Sequence, residues 1–203
     1  IIGTSLLIIL SVLQMVLNTY INNRTEQMKY KVILEEDGFQ LRYYFPAIMA
    51  EYATAGSLDR NSNFRELASY IFGSNEDEKK IAMTAPVIMR EENDSLNMKF
   101  VMPSEYKFED LPEPNNDMIR LKKADERYAA VVSFGGFSNQ KKIKASLNSL
   151  KKYLDLKGID YSDEFEFYAY NPPFQLAGRH NEVVIPLNKE DIRKAGILSF
   201  ERE

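Results

Sequence analysis

Cysteine is absent from the 203 residues, and histidine occurs once, at His180. Without Cys there is no disulfide, no thiol nucleophile and no cysteine-held zinc or iron–sulfur centre. The redox compartment stays open, since a chain without Cys suits any. A single imidazole excludes every scheme that needs two, and a Ser/His pair has only His180 to use. A basic excess is also missing. The net charge is −4, which offers no stripe of cations to displace counterions, so nucleic acid is not an expected partner. What remains is ordinary globular composition, 44% hydrophobic and 28% charged, in a chain long enough for one domain with a substantial core and an appendage.

Charge is missing from one end altogether. Residues 1–23 carry none, and LLIILSVLQMVL at 6–17 is apolar almost all round. Twenty-one helical residues span roughly 31 Å, about one hydrocarbon core. The expectation is a transmembrane anchor at 1–23, crossing with residues 1–21, ahead of a soluble domain at 24–203. Two rival readings stay open. A cleaved signal peptide wants small residues at its cleavage site, and Asn18, Thr19, Tyr20 and Ile21 offer none. The other rival is a helix buried in its own domain. Arg24, Lys29 and Lys31 follow the apolar run and orient it poorly; the expected side for the domain is periplasmic or extracytoplasmic.

From Tyr30 the pattern turns to strands. YKVILEE, a turn at Asp37 and Gly38, and FQLRYYF read as a hairpin, and AIMAEYATAG after Pro46 as a third strand. Phe64, Leu67, Ala68, Ile71 and Phe72 recur at helical spacing over 59–72, with Gly73 placed as a cap and Asn63 with Glu66 resembling a capping box. Strands at 87–91 and 96–102 follow, then a Pro-rich connection at 103–114. Strands at 118–123 and 128–134 come next, and then a helix capped by Ser138 that runs to about Leu156 with Ile143, Leu147, Leu150 and Leu154 on one face. Strands at 164–170 and 182–187 close the series. Strand, helix, strand, strand occurs twice, which reads as a duplicated α+β unit forming one curved antiparallel sheet with two helices outside. Within the first unit, NEDEKK reads as a solvated loop. KIAMTAPV reads either as a buried connection that fixes the next strand or as a ligand-lining segment.

FRELASYIFGSNEDEKKIAMTAPV resembles the hallmark segment of the SOUL family of haem-binding proteins. QLRYYFPA, FVMPSEYKFEDLPEPNND, VVSFGGFS and YAYNPPFQLAGRHNEVVIPL resemble the family's further motifs in order, so the likeness runs from about Tyr30 to Leu187. The resemblance implies a distorted antiparallel β-barrel with two flanking helices, a fold group that includes effector-binding domains of bacterial regulators. It also implies haem or another tetrapyrrole as ligand. Tyr43 stands where some members are thought to place an axial His, and a Tyr can ligate ferric haem as phenolate. Asn61, Ser69 and Gln175 fall at positions where other members carry basic side chains near the propionates, and none is charged; Arg65 and Arg179 are candidate substitutes. Phe64, Ala68, Phe72, Met83, Pro172, Pro173 and Phe174 are expected to line an apolar cleft between the first helix and the late loop, although helix-spaced Phe and Leu equally suit plain core. His180 is a further candidate ligand.

Three functions follow as expectations: a membrane-anchored tetrapyrrole binder for transport or buffering, a ligand-free accessory subunit of a membrane protein complex, and an enzyme acting on a tetrapyrrole. The third lacks a constellation, because Glu76, Asp77 and Glu78 lie in a charged loop, so the chain is expected not to be an enzyme. The lysines at 141, 142, 144, 151, 152 and 157 read as a solvated face or as a contact for anionic lipid.

Overall fold

The structure is a computed structural model that describes residues 25–54, 60–92, 94–172 and 174–198. The expected membrane anchor at 1–23 lies outside them. Among the described residues no helix is long and apolar enough to cross a membrane.

The chain order is β1 (Glu26–Gln27), β2 (Tyr30–Glu36), β3 (Phe39–Tyr44), β4 (Ala47–Thr54), α1 (Arg60–Ile71), β5 (Thr84–Ala85), β6 (Val87–Glu92) and β7 (Ser95–Val101). It continues with β8 (Ile119–Ala124), β9 (Arg127–Gly135), α2 (Gln140–Lys157), β10 (Glu166–Ala169), β11 (His180–Leu187) and α3 (Lys189–Lys194). Nine strands form one antiparallel sheet in the order β2-β3-β9-β11-β10-β6-β7-β4-β8, and β1 pairs with β5 apart from it.

The sheet order displays the duplication. β4-β7-β6 and β9-β11-β10 are equivalent triplets that meet where β6 pairs with β10. Each triplet takes its outer neighbour from the other half: β3 precedes β4 but pairs with β9, while β8 precedes β9 but pairs with β4. The expected barrel does not close. β2 and β8 form the two edges, so the sheet is a curled half-barrel. Both edges carry exposed charges, Lys31 and Glu35 on β2 and Arg120, Lys122 and Lys123 on β8, which suits strands that face water and resist further pairing.

The two long helices, α1 and α2, pack on one face of the sheet. Leu67, Tyr70 and Ile71 of α1 and Ile143, Leu150 and Leu154 of α2 share a core with Leu41, Ala50, Met98, Phe100, Val183 and Ile185. Alternate strand residues point the other way. There Tyr44, Met49, Ile88, Val101, Val131, Tyr168 and Val184 form a second cluster under Met28.

Helix ends follow the sequence with local corrections. Gly73 has φ +114°, and Ser74 N–H donates to Ser69 O at 3.0 Å, a capping turn that satisfies a terminal carbonyl of α1. Asn63 and Glu66 do not form a capping box. Asn63 is fully buried, donates to Leu96 O at 2.8 Å and accepts from Thr54 Oγ1 at 2.8 Å, while Glu66 accepts from Asn116 Nδ2. The cap of α2 is Asn139 rather than Ser138, its side chain accepting from Lys142 N–H. The NEDEKK loop is exposed except at its first residue. Asn75 is buried and pins the loop through Tyr70 O and Lys79 O.

Candidate functional site

The face away from the helices carries two buried carboxylates. Glu182 of β11 accepts both arms of Arg42 from β3, at 2.8 and 3.0 Å, and the two side chains are 1% and 3% exposed. Tyr170 Oη donates to Glu182 at 2.7 Å, and His180 Nε2 lies 2.9 Å from it. Burial alone raises this carboxyl; hydrogen bonds from His180 and Arg42 and the arginine's charge outweigh it and hold the group down to about 2. Glu166 of β10 is the counterpart. Arg127 of β9 and Tyr168 bond its Oε2, and Lys99 of β7 lies 3.4 Å from Oε1. Its pKa is also lowered, against the effect of burial, by Arg127 first. Each carboxylate is neutralised internally, so the pair ties neighbouring strands together and presents no free base. No cluster of three metal-ligating side chains occurs among the described residues.

Beside this network lies a groove, at the crossovers from β3 to β4 and from β8 to β9. Its larger part is a half-open cavity of about 360 Å³ with Met28, Ile48, Val101, Met102, Tyr106 and Phe108 in its walls and Lys29 and Lys123 among its lining. It adjoins a depression of about 200 Å³ that holds Glu51, Lys99, Lys122 and Arg127 and shares Lys123, Ala124 and Asp125 with it. The larger volume falls at the low end of ligand clefts, roughly 300–1,000 Å³. Sequence reasoning missed this groove because its walls come from chain segments far apart. The only signal was the grouping of Pro103, Tyr106 and Phe108 in the Pro-rich connection.

The residues expected to form the site differ in exposure and in what they touch. Phe64 is half-buried and tilts against Phe100, with ring centroids 5.3 Å apart; Ala68 is core, and Met83 packs on the same core. Phe72 is exposed at the end of α1, and Phe174 is exposed in the loop between β10 and β11, beside an exposed Leu176. Pro173 lies outside the described residues. Gln175 is buried and holds that loop by donating to Ala177 O and Gly178 O and accepting from Asn171. Arg179 donates to Pro172 O and Gln175 O and lies over the Phe137 ring. His180 is directed to the opposite face, toward Glu182.

Tyr43 is distant from His180. It pairs with Tyr128, and His180 pairs with Gly135; that interval of β9 is roughly 23 Å of strand. Tyr43 sits between Phe45 and Tyr128. Desolvation, with Glu126 and Tyr128 adding to it, raises its phenol above the ordinary value, which opposes ligation as phenolate. Of the lysines on α2, Lys142 donates to Gly135 O, Lys151 pairs with Asp163 and Lys157 with Glu36. KIAMTAPV is a buried connection for the most part. Ile81 N–H donates to Ile71 O, Thr84 and Ala85 form β5, and Thr84 Oγ1 donates to Val101 O.

Comparison with known proteins gives the following. Residues 25–186 match the sequence pattern of the family described as SOUL heme-binding protein. The chain is 34% identical to human Heme-binding protein 2 over 157 residues, 71% of this chain and 76% of that protein. It is 31% identical to Heme-binding protein 1 of Xenopus laevis over 58% of this chain and 65% of the relative. Among solved structures, an uncharacterized conserved protein from Listeria innocua superposes with a TM-score of 0.58 at 8% identity, covering 75% of this chain and 93% of that one. The EcmrR C-terminal domain does so with 0.55 at 12% identity, covering 80% and 99%. At such identities the structural likeness shows the fold alone.

Proposed function

The chain belongs to the SOUL heme-binding family, and on that premise we propose that it binds haem or a related tetrapyrrole reversibly, without transforming it. The observation that carries this reading is the family match over 25–186, which takes in both halves of the duplicated sheet. The paired state of Glu166 and Glu182 supports binding over catalysis, because general acid–base work needs a positioned group free to exchange a proton with the ligand. In the same reading residues 1–23 hold the domain at a membrane, on the extracytoplasmic side, where it carries or buffers its ligand.

Titrating hemin into the full chain in detergent micelles, followed by Soret absorbance, tests the binding. A saturable shift at one equivalent is expected. Weak, unsaturable absorbance changes overturn the reading. Extraction of the chain from membranes by detergent but not by salt or carbonate tests the anchor.

A second reading, an accessory subunit without ligand, is favoured by one observation. Gln175, at a position where the family resemblance implies a basic group, is turned into its own loop. Detergent extraction that always yields a lone monomer counts against it.

A further inference from the structure

Two stretches of the chain contain no acid. Residues 127–154 and 167–181 hold neither Asp nor Glu, although the whole chain carries −4. The fold joins them at one rim of the sheet. His180 pairs with Gly135, Gly136 N–H donates to Arg179 O, and Asn181 Nδ2 donates to Gly136 O at 2.8 Å. The loop after β9 and the loop between β10 and β11 therefore form one platform. Resting on the membrane reading above, we propose that this platform is a second membrane contact. Phe137, Phe174 and Leu176 enter the surface of an anionic bilayer there, with Lys141, Lys144 and Arg179 at its headgroups.

The apolar part is exposed and held in place. Phe137, Phe174 and Leu176 are 52%, 67% and 64% exposed. Phe174 and Leu176 flank Gln175, which is buried and fixes the loop from within. The Arg179 guanidinium lies 4.8 Å from the centre of the Phe137 ring and bonds Pro172 O and Gln175 O, so it ties one loop to the other. Side chains already fixed outward lose little freedom on binding, and large apolar ones suit the boundary between headgroups and acyl chains. The charge matches an anionic surface. α2 opens on Gln140, Lys141 and Lys142 with no acid in its first turn. Cations at a helix N-terminus oppose its dipole, so this placement does nothing for the helix. Lys151 and Lys157 farther along α2 are paired with acids, whereas Lys141 and Lys144 are exposed and form no ion pair among the described residues. Glu91, the acid that Gln140 touches, is paired with Arg60 at 3.0 Å. Each such Lys favours contact with an anionic bilayer by about fivefold. The chain's entry point lies on the same rim. Glu26 pairs with Thr84 of β5, and Val87, two residues after β5, pairs with Ala169, the last residue of β10 before the loop. A chain anchored through residues 1–23 therefore brings this rim toward the bilayer.

The chain has no Trp, so one introduced indole reports alone. The test reconstitutes the full chain into phosphatidylcholine vesicles with and without phosphatidylserine and follows indole quenching by brominated lipid. Phe174→Trp and Phe137→Trp probe the platform. Met118→Trp is the control, at a residue 52% exposed ahead of β8 on the opposite rim. The platform indoles are expected to shift to the blue and to be quenched in the phosphatidylserine vesicles, and the control indole to stay unquenched. Lys141→Glu/Lys144→Glu, or high salt, is expected to weaken the contact about tenfold or more. Platform quenching no greater than that of the control, or equal with and without phosphatidylserine, overturns the contact and leaves the anchor standing as long as the chain stays in the vesicles. A blue shift that grows with protein density without quenching assigns the patch to a second copy and also overturns it. A chain that carbonate strips from the vesicles sinks the anchor instead. Added back at low salt, that chain supports the platform if it floats with anionic but not neutral vesicles, and sinks it if it floats with neither.

Discussion

Replacing Glu182 with Gln probes the strongest electrostatic commitment in the fold. The carboxylate is buried against Arg42, Tyr170 and His180, and its pKa falls from an ordinary 4.5 to about 2. A group depressed in the folded state stabilises that state above its unfolded pKa and ceases to as pH drops through the folded one. The interval amounts to about 3 kcal/mol at ~1.4 kcal/mol per pH unit. Removing one partner of a buried pair costs a similar about 3–5 kcal/mol, because Arg42 is left charged and dry. Urea unfolding followed by circular dichroism should therefore place Glu182→Gln about 3–5 kcal/mol below the wild type at pH 7. The gap should shrink as pH falls below 4.5, by about 2 kcal/mol at pH 3, because the unfolded wild-type chain takes up a proton at residue 182 there and the variant has none to take up. A deficit under about 1 kcal/mol at pH 7, or a gap equal at pH 7 and pH 3, refutes the reasoning.

Further substitutions test local parts of the account. Gly73→Ala forces a side chain into φ +114° and sets its Cβ 3.3 Å from Glu78 O, so it should lower unfolding free energy by about 1–3 kcal/mol; an unchanged urea midpoint contradicts the capping turn. Asn63→Ala strips the bond to Leu96 O and the acceptor for Thr54 and should lose about 1–3 kcal/mol in the same assay, where an exposed capping residue loses less. Tyr43→Phe should leave the position of the Soret band of bound hemin unchanged, since the raised phenol is a poor phenolate donor; a displaced band makes Tyr43 a ligand after all.

The local pattern of the sequence carried much of this fold. Leu150 and Leu154 announced α2 by spacing, and Gly158, at φ +65°, ends it. The repeated strand–helix–strand–strand order was legible because each element has its own periodicity. The exchange of β3 and β8 between halves was not, since pairing is decided by contacts remote in sequence. Nor were β1 and β5, two residues each, too short to show a period. α3 escaped notice because Ile192 is its one buried residue. Asn63, Asn75 and Gln175 read as surface residues by type, yet each is buried with its amide engaged. Burial of a polar side chain depends on partners that the linear sequence does not reveal. The sites on the surface were less legible still. Residue type identified Phe72 and Phe174 as apolar but not that both stand exposed, and it gave no sign that chain segments around Met28, Ile48, Phe108 and Lys123 converge.

Native mass spectrometry of the full chain released from detergent micelles with hemin tests the central claim most directly, because it counts ligands per chain. The account predicts one dominant species carrying a single hemin, saturating at one equivalent. A ladder of adducts that grows with hemin concentration, or a chain that stays bare, contradicts it.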